Sequence, residues 1–166
     1  MKSQKGFTLI ELLLYLGLAA VLLLAVSIFL AILLESRIKN QTVAEVEQAG
    51  SMAMNLTTST IRNAEGINSP APGASAGSLS VDAFGTINDP TVFSLASNVL
   101  NITEAAGSAQ ALTSSKISTS ALNFQNLSRP GTPGVIRVQY TLTYINPSGK
   151  NEYNYSKTFY GSASLR

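Results

Sequence analysis

The run from Leu12 to Leu34 decides most of what this chain can become. Of its 23 residues, 21 are apolar, and the two exceptions, Gly17 and Ser27, carry no charge. A helix rises about 1.5 Å per residue, so about 20 apolar residues cross a hydrocarbon core of roughly 30 Å. The run is long enough to span a membrane by itself. Phe7, Leu9 and Ile10 extend it toward the N-terminus, with Glu11 the charged interruption. An ordinary secretory signal has an apolar core of only about 7–15 residues ahead of a small-residue cleavage site. Ala19, Ala20 and Ala25 imitate such a site, but the run is too long for that reading. Lys2 and Lys5 precede the run, whereas Glu35 partly offsets Arg37 and Lys39 after it. This asymmetry favours a cytoplasmic N-terminus and puts the bulk of the chain on the far side.

What remains suits one small domain. The chain has 166 residues, and removing the apolar run leaves a thin supply of core-forming side chains. It contains no Cys and no His. That excludes disulfides, thiolate nucleophiles and Cys-ligated zinc, and removes the commonest general base. Lys116 amid Ser114, Ser115 and Ser118 lacks the glycine-rich oxyanion loop of a Ser-Lys enzyme and reads as a solvated strand edge. Asp82, Asp89, Glu104 and Glu152 have no calcium-loop spacing. The sequence thus gives no reason to expect an enzyme, a cofactor or a metal site.

Glu11 is the informative residue. A carboxylate inside an apolar run costs about 2.5–3.5 kcal/mol at mid-membrane and less near an interface, so it marks a candidate functional site. The plain alternative is a carboxylate that snorkels to the cytoplasmic headgroups. The surrounding Gly6-Phe7-Thr8-Leu9-Ile10-Glu11-Leu12-Leu13, behind a short basic leader, closely resembles the processing site of type IV prepilins and type II secretion pseudopilins. The resemblance implies cleavage after Gly6 by a membrane-embedded prepilin peptidase, with N-methylation of the new N-terminal Phe7. It also implies assembly with other pilin-like subunits on an inner-membrane platform, into a surface or periplasmic filament.

The residue types suit those roles. Gly6 lacks a Cβ, so its backbone can approach a protease closely. Lys2 and Lys5 hold the leader on the cytoplasmic face. Cleavage would leave a cationic amine on Phe7, and Glu11 of an incoming subunit could neutralise it in a low-dielectric bundle and set the axial register.

Four segments follow: a leader, 1–6; a transmembrane helix half, 7–34; an amphipathic helix half, 35–65; and an extracytoplasmic β-rich domain, 66–166. The expected class is α+β and pilin-like, one long N-terminal helix packed on a small antiparallel sheet. Val46, Ala49, Ala53, Leu56, Thr60 and Ala64 form one weak helical face, and Gly50 is a mild flaw costing about 1 kcal/mol. Gly66 ends the helix, and residues 69–78 read as a flexible connection.

Beyond it the period changes to two. Phe93, Leu95, Leu100 and Ile102 flank a Ser97-Asn98 hairpin turn, and a phase shift between Ile117 and Phe124 predicts a bulge. The clearest strand alternates Ile136, Val138, Tyr140, Leu142 and Tyr144 with polar residues. With Tyr153, Tyr155 and Phe159 it forms a hairpin at the sheet's centre, its aromatics covering the helix face. The spacing from Thr91 through Leu112 to Phe124 also resembles minor pilins, which points to a minor subunit.

Residues 116–166 hold six bases against Glu152, but these are dispersed, so a nucleic-acid surface is the weaker reading. The rival from another class is an uncleaved signal-anchored protein with an external ligand-binding domain. Such an anchor needs neither Gly6 nor Glu11.

Overall fold

The computed structural model describes residues 8–85 and 87–166, and the chain divides into two compact units, Met1–Lys39 and Asn40–Arg166. One helix, α1 (Leu9–Asn63), starts in the first and ends in the second. In the first unit every residue from Leu9 to Arg37 is exposed. Ser27 turns its hydroxyl back onto the Leu23 carbonyl at 2.8 Å, so it presents no unpaired donor. The helix is long and apolar enough to cross a membrane, with mean hydropathy 2.9 in its most apolar stretch.

Among its described residues the second unit carries nine strands: β1 (Ala64–Ser69), β2 (Ser75–Ala76), β3 (Leu79–Ala83), β4 (Thr91–Ala96), β5 (Val99–Glu104), β6 (Gln110–Ala111), β7 (Ile117–Asn126), β8 (Val135–Tyr144) and β9 (Ser156–Ser164). They form two antiparallel sheets, β1-β3-β4-β5-β6 and β2-β7-β8-β9, where the sequence suggested one. The Phe93 and Phe124 rings, 6.4 Å apart, join the two in a common core.

Several local expectations hold. The β4–β5 hairpin turns at Ser97 and Asn98, both at positive φ, 51° and 61°, as a two-residue turn between right-twisted strands requires. In β7 the register shifts between Ser120 and Asn123, with Ala121 at φ 51°. The extra residue lets Ile117 and Thr119 before it, and Phe124 and Asn126 after it, all point inward. Ile136, Val138, Tyr140 and Leu142 of β8 are wholly buried.

Others are corrected. The helix stops at Asn63 rather than Glu65, and Gly66 lies within β1. It sits where the β1–β3 register slips between Ala64 and Gly66, a bulge position that favours glycine. Residues 69–78 are tied down rather than a free connection. Ser75 and Ala76 pair with β7, the Asn126 amide donates to the Pro70 carbonyl at 2.7 Å, and Gly73 N–H donates to the Asn126 carbonyl at 2.8 Å.

The buried helical stripe is Thr42, Val46, Gly50, Ala53, Thr57 and Ile61, so Leu56 and Thr60 of the expected face lie off it. Threonine reads as polar, yet Thr57 returns its hydroxyl to the Ala53 carbonyl at 2.8 Å and is free to bury its methyl. Gly50 is no flaw. A Cβ there would overlap the Phe159 ring, and its carbonyl accepts the buried Tyr140 hydroxyl at 2.7 Å. Tyr140 and Phe159 stack with centroids 5.7 Å apart over that gap. The last hairpin is only half central, since β8 is interior and β9 is an edge strand.

Candidate processing and assembly site

Thr8 stands immediately before α1, so Glu11 is the third helical residue. The Thr8 hydroxyl oxygen accepts the Glu11 N–H at 3.3 Å, and the Thr8 carbonyl accepts the Leu12 N–H at 3.1 Å. Four N–H groups are orphaned at any helix start, and Thr8 satisfies one of them. Thr8-Leu9-Ile10-Glu11 is thus a capping-box sequence, a signal for the helix start that the family pattern hides. Glu11 also lies in the first turn, where the helix dipole favours a negative charge. Tyr15, one turn on, donates its hydroxyl toward Glu11 Oε1 at 3.5 Å, a long contact. Sequence reasoning missed Tyr15, although the i,i+4 spacing was available. Gly6, Phe7, Lys2 and Lys5 lie outside the described residues; among those described, the structure places Glu11 beside Thr8 and Tyr15.

Several charged groups of the second unit hold one part of it to another. Glu47 of α1 receives both the Tyr155 hydroxyl at 2.8 Å and the Lys157 ammonium, which reaches each carboxylate oxygen at 2.6 Å. The Lys157 bond, then that of Tyr155, holds the Glu47 carboxyl below the usual range, and Glu47 in turn raises Lys157 and Tyr155. Burial pushes the Tyr140 phenol far up. Asp82 is raised, chiefly by the negative charge of Asp89. Lys116 forms no Ser-Lys dyad: its ammonium lies 3.9 Å from Glu45, toward which Ser114 also donates at 3.5 Å. Among the described residues no group of three or more His, Cys, Asp or Glu is placed to hold a metal ion.

The deciding observation concerns the N-terminus itself. Residues 1–27 match the prokaryotic N-terminal methylation motif. That motif is characteristic of type IV prepilins and pseudopilins, and its family is structural rather than enzymatic. The pilin-like N-terminus and the long apolar helix that follows fit a membrane-anchored, single-pass chain. No curated protein and no solved structure matches the chain. The pilin-like reading therefore rests on the motif, on the helix and on an α+β arrangement with antiparallel sheets after it.

Proposed function

We propose that this pilin-like protein is a minor structural subunit of a type IV pilus or pseudopilus-like filament. In this reading it is made as an inner-membrane precursor, cut between Gly6 and Phe7 by a prepilin peptidase and N-methylated at Phe7. Lys2 and Lys5 hold the leader in the cytoplasm, and Asn40–Arg166 lies outside. The single supporting observation is the methylation motif over residues 1–27, running into a helix whose apolar half is exposed from Leu9 to Leu34. An apolar surface of that length needs lipid first and neighbouring helices later.

Glu11 supplies the register. Paired with the Phe7 amine of an adjacent subunit, its carboxylate is neutralised; left alone in low dielectric, either charge is costly. Glu11→Gln tests this cleanly, since Gln also completes a capping box and so keeps the helix start while losing the charge. The variant should insert and be processed normally, yet its share in sheared filaments, normalised to the membrane pool, should fall several-fold. A major pilin carrying the same change serves as control. Incorporation at the native level would reduce Glu11 to a capping residue and remove the register mechanism.

A further inference from the structure

The outer face of the β7-β8-β9 sheet carries an arrangement that takes no part in the core. Strand pairing sets Gln125, Arg137 and Ser162 in one row across it and Asn123, Gln139 and Tyr160 in the next. In the following rows Ser120, Thr141 and Thr158, then Ser118, Thr143 and Ser156, continue the face. Every side chain in these four rows is a neutral hydrogen-bonding group except one cation and one aromatic ring, and the row beyond Arg137 adds one apolar residue, Val135, opposite Ser164. Tyr160 is 68% exposed, although Phe159 beside it packs inward over Gly50. Arg137 is exposed and has no ion-pair partner among the described residues. Arg137, Gln139, Tyr160 and Ser162 border one shallow depression of about 400 Å³.

From this juxtaposition we infer a binding site for an acidic saccharide, with Tyr160 as the stacking platform and Arg137 as the carboxylate anchor. A sugar ring offers an apolar C–H face to an aromatic ring and hydroxyls at its rim. Gln139, Asn123, Gln125 and Ser162 supply the donors and acceptors those hydroxyls need. Tyr with short Ser and Asn side chains is a combination that gives contact area and adaptable hydrogen bonds at low entropic cost. Beside the site, a cross-strand hydroxyl pair, Thr141–Thr158 at 2.8 Å, ties β8 to β9. The planar guanidinium of Arg137 matches a carboxylate in bidentate fashion.

Charge decides between occupants. A nucleic acid strand presents a line of phosphates and rewards a track of bases, and this face holds one. A protein partner would also use a Tyr and an Arg as anchors, but it needs packed neighbours around them to exclude water. The rows beside Tyr160 and Arg137 are Ser, Thr, Asn and Gln, with Val135 the one apolar residue. The inference does not depend on cleavage at Gly6, and its test reads Arg137 and Tyr160 directly.

The test uses the full chain in detergent micelles, titrated with 3′-sialyllactose, trigalacturonate, lactose and an oligothymidylate by ligand-observed NMR and calorimetry. The acidic saccharides should bind roughly tenfold more tightly than lactose. Arg137→Gln should erase that preference while sparing lactose. Tyr160→Ala should weaken all three saccharides roughly tenfold. Both side chains lie outside the core, so thermal melts should be unchanged. Failure of both acidic saccharides to bind below about 10 mM would overturn the inference. So would binding indifferent to both substitutions, or an oligothymidylate that displaces the acidic sugars. Self-association abolished by Tyr160→Ala would instead assign the face to a second copy, and would equally overturn it.

Discussion

The two halves of α1 follow opposite rules. From Leu9 to Arg37 every side chain is exposed, yet most are Leu, Ile, Val and Ala; from Asn40 to Asn63 the chain is polar, yet six positions are fully enclosed. Apolar content alone would assign the core to the wrong half. The first half is written for lipid, where helix–helix association depends on packing and small residues rather than on expelling water. The second is written for water, and it buries little: Thr42, Val46, Ala53, Thr57, Ile61 and a glycine. Its sheets supply the bulk, from Leu79 and Phe93 to Tyr140 and Leu142.

The largest effect should come from deleting matched leucines on either side of that divide. Leu142 is fully buried and Leu23 is 68% exposed. Leu142→Ala should destabilise the chain by about 2–4 kcal/mol in chemical denaturation, and Leu23→Ala in micelles should leave stability within about 0.5 kcal/mol. Equal losses would mean that the first half has a protein core of its own.

The two glycines of the helix sharpen the contrast. A Cβ at Gly17 meets nothing within 4 Å, whereas one at Gly50 overlaps Phe159. Gly50→Leu should cost about 1–3 kcal/mol by overpacking, despite the helix propensity gained, and Gly17→Leu should be neutral or stabilising in micelles.

Legibility divided along the same line. The membrane half could be read because its signal is a long run with no competing pattern, and the motif at Gly6-Phe7 and Glu11 sits at its edge. Strand β8 and the bulge in β7 were legible because a period of two, and a slip in it, show in the residues themselves. The helical stripe was not, since Gly50 and Thr57 give no apolar signal. Gly50 is buried because Tyr140 and Phe159, ninety or more residues away in sequence, need the space. The second sheet and the anchoring of residues 69–78 depend on pairing with β7 and on the Asn126 side chain, which no local window contains. At the candidate site, the Thr8 cap was available in the sequence but lay beneath the family pattern.

A smaller effect is expected from acid. The depressed pKa of Glu47 means that its contribution is present above the ordinary carboxylate value of 4.5 and is lost as pH falls through the folded value. Lowering the pH from 6 to about 3 should therefore lower Tm more in the native chain than in Glu47→Gln. Parallel curves would show that the contacts of Tyr155 and Lys157 add nothing to stability.

The smallest effect should appear at Asp82. Its raised pKa means that the repulsion it shares with Asp89 is felt at neutral pH and relieved as the carboxyl protonates. Asp82→Asn should raise Tm slightly at pH 7, with the gain vanishing as the pH approaches the ordinary Asp value of 3.8.

The central claim, that the N-terminus is a prepilin processing site, is tested most directly by intact mass. Co-expressed with a prepilin peptidase, the chain should lose Met1 to Gly6 and begin at Phe7, heavier by one methyl group where the peptidase also methylates. Replacing Gly6 with a bulky residue should leave the precursor uncut, because a side chain there blocks close approach of the backbone. A chain that keeps Met1 beside a peptidase active on a control prepilin would contradict the account.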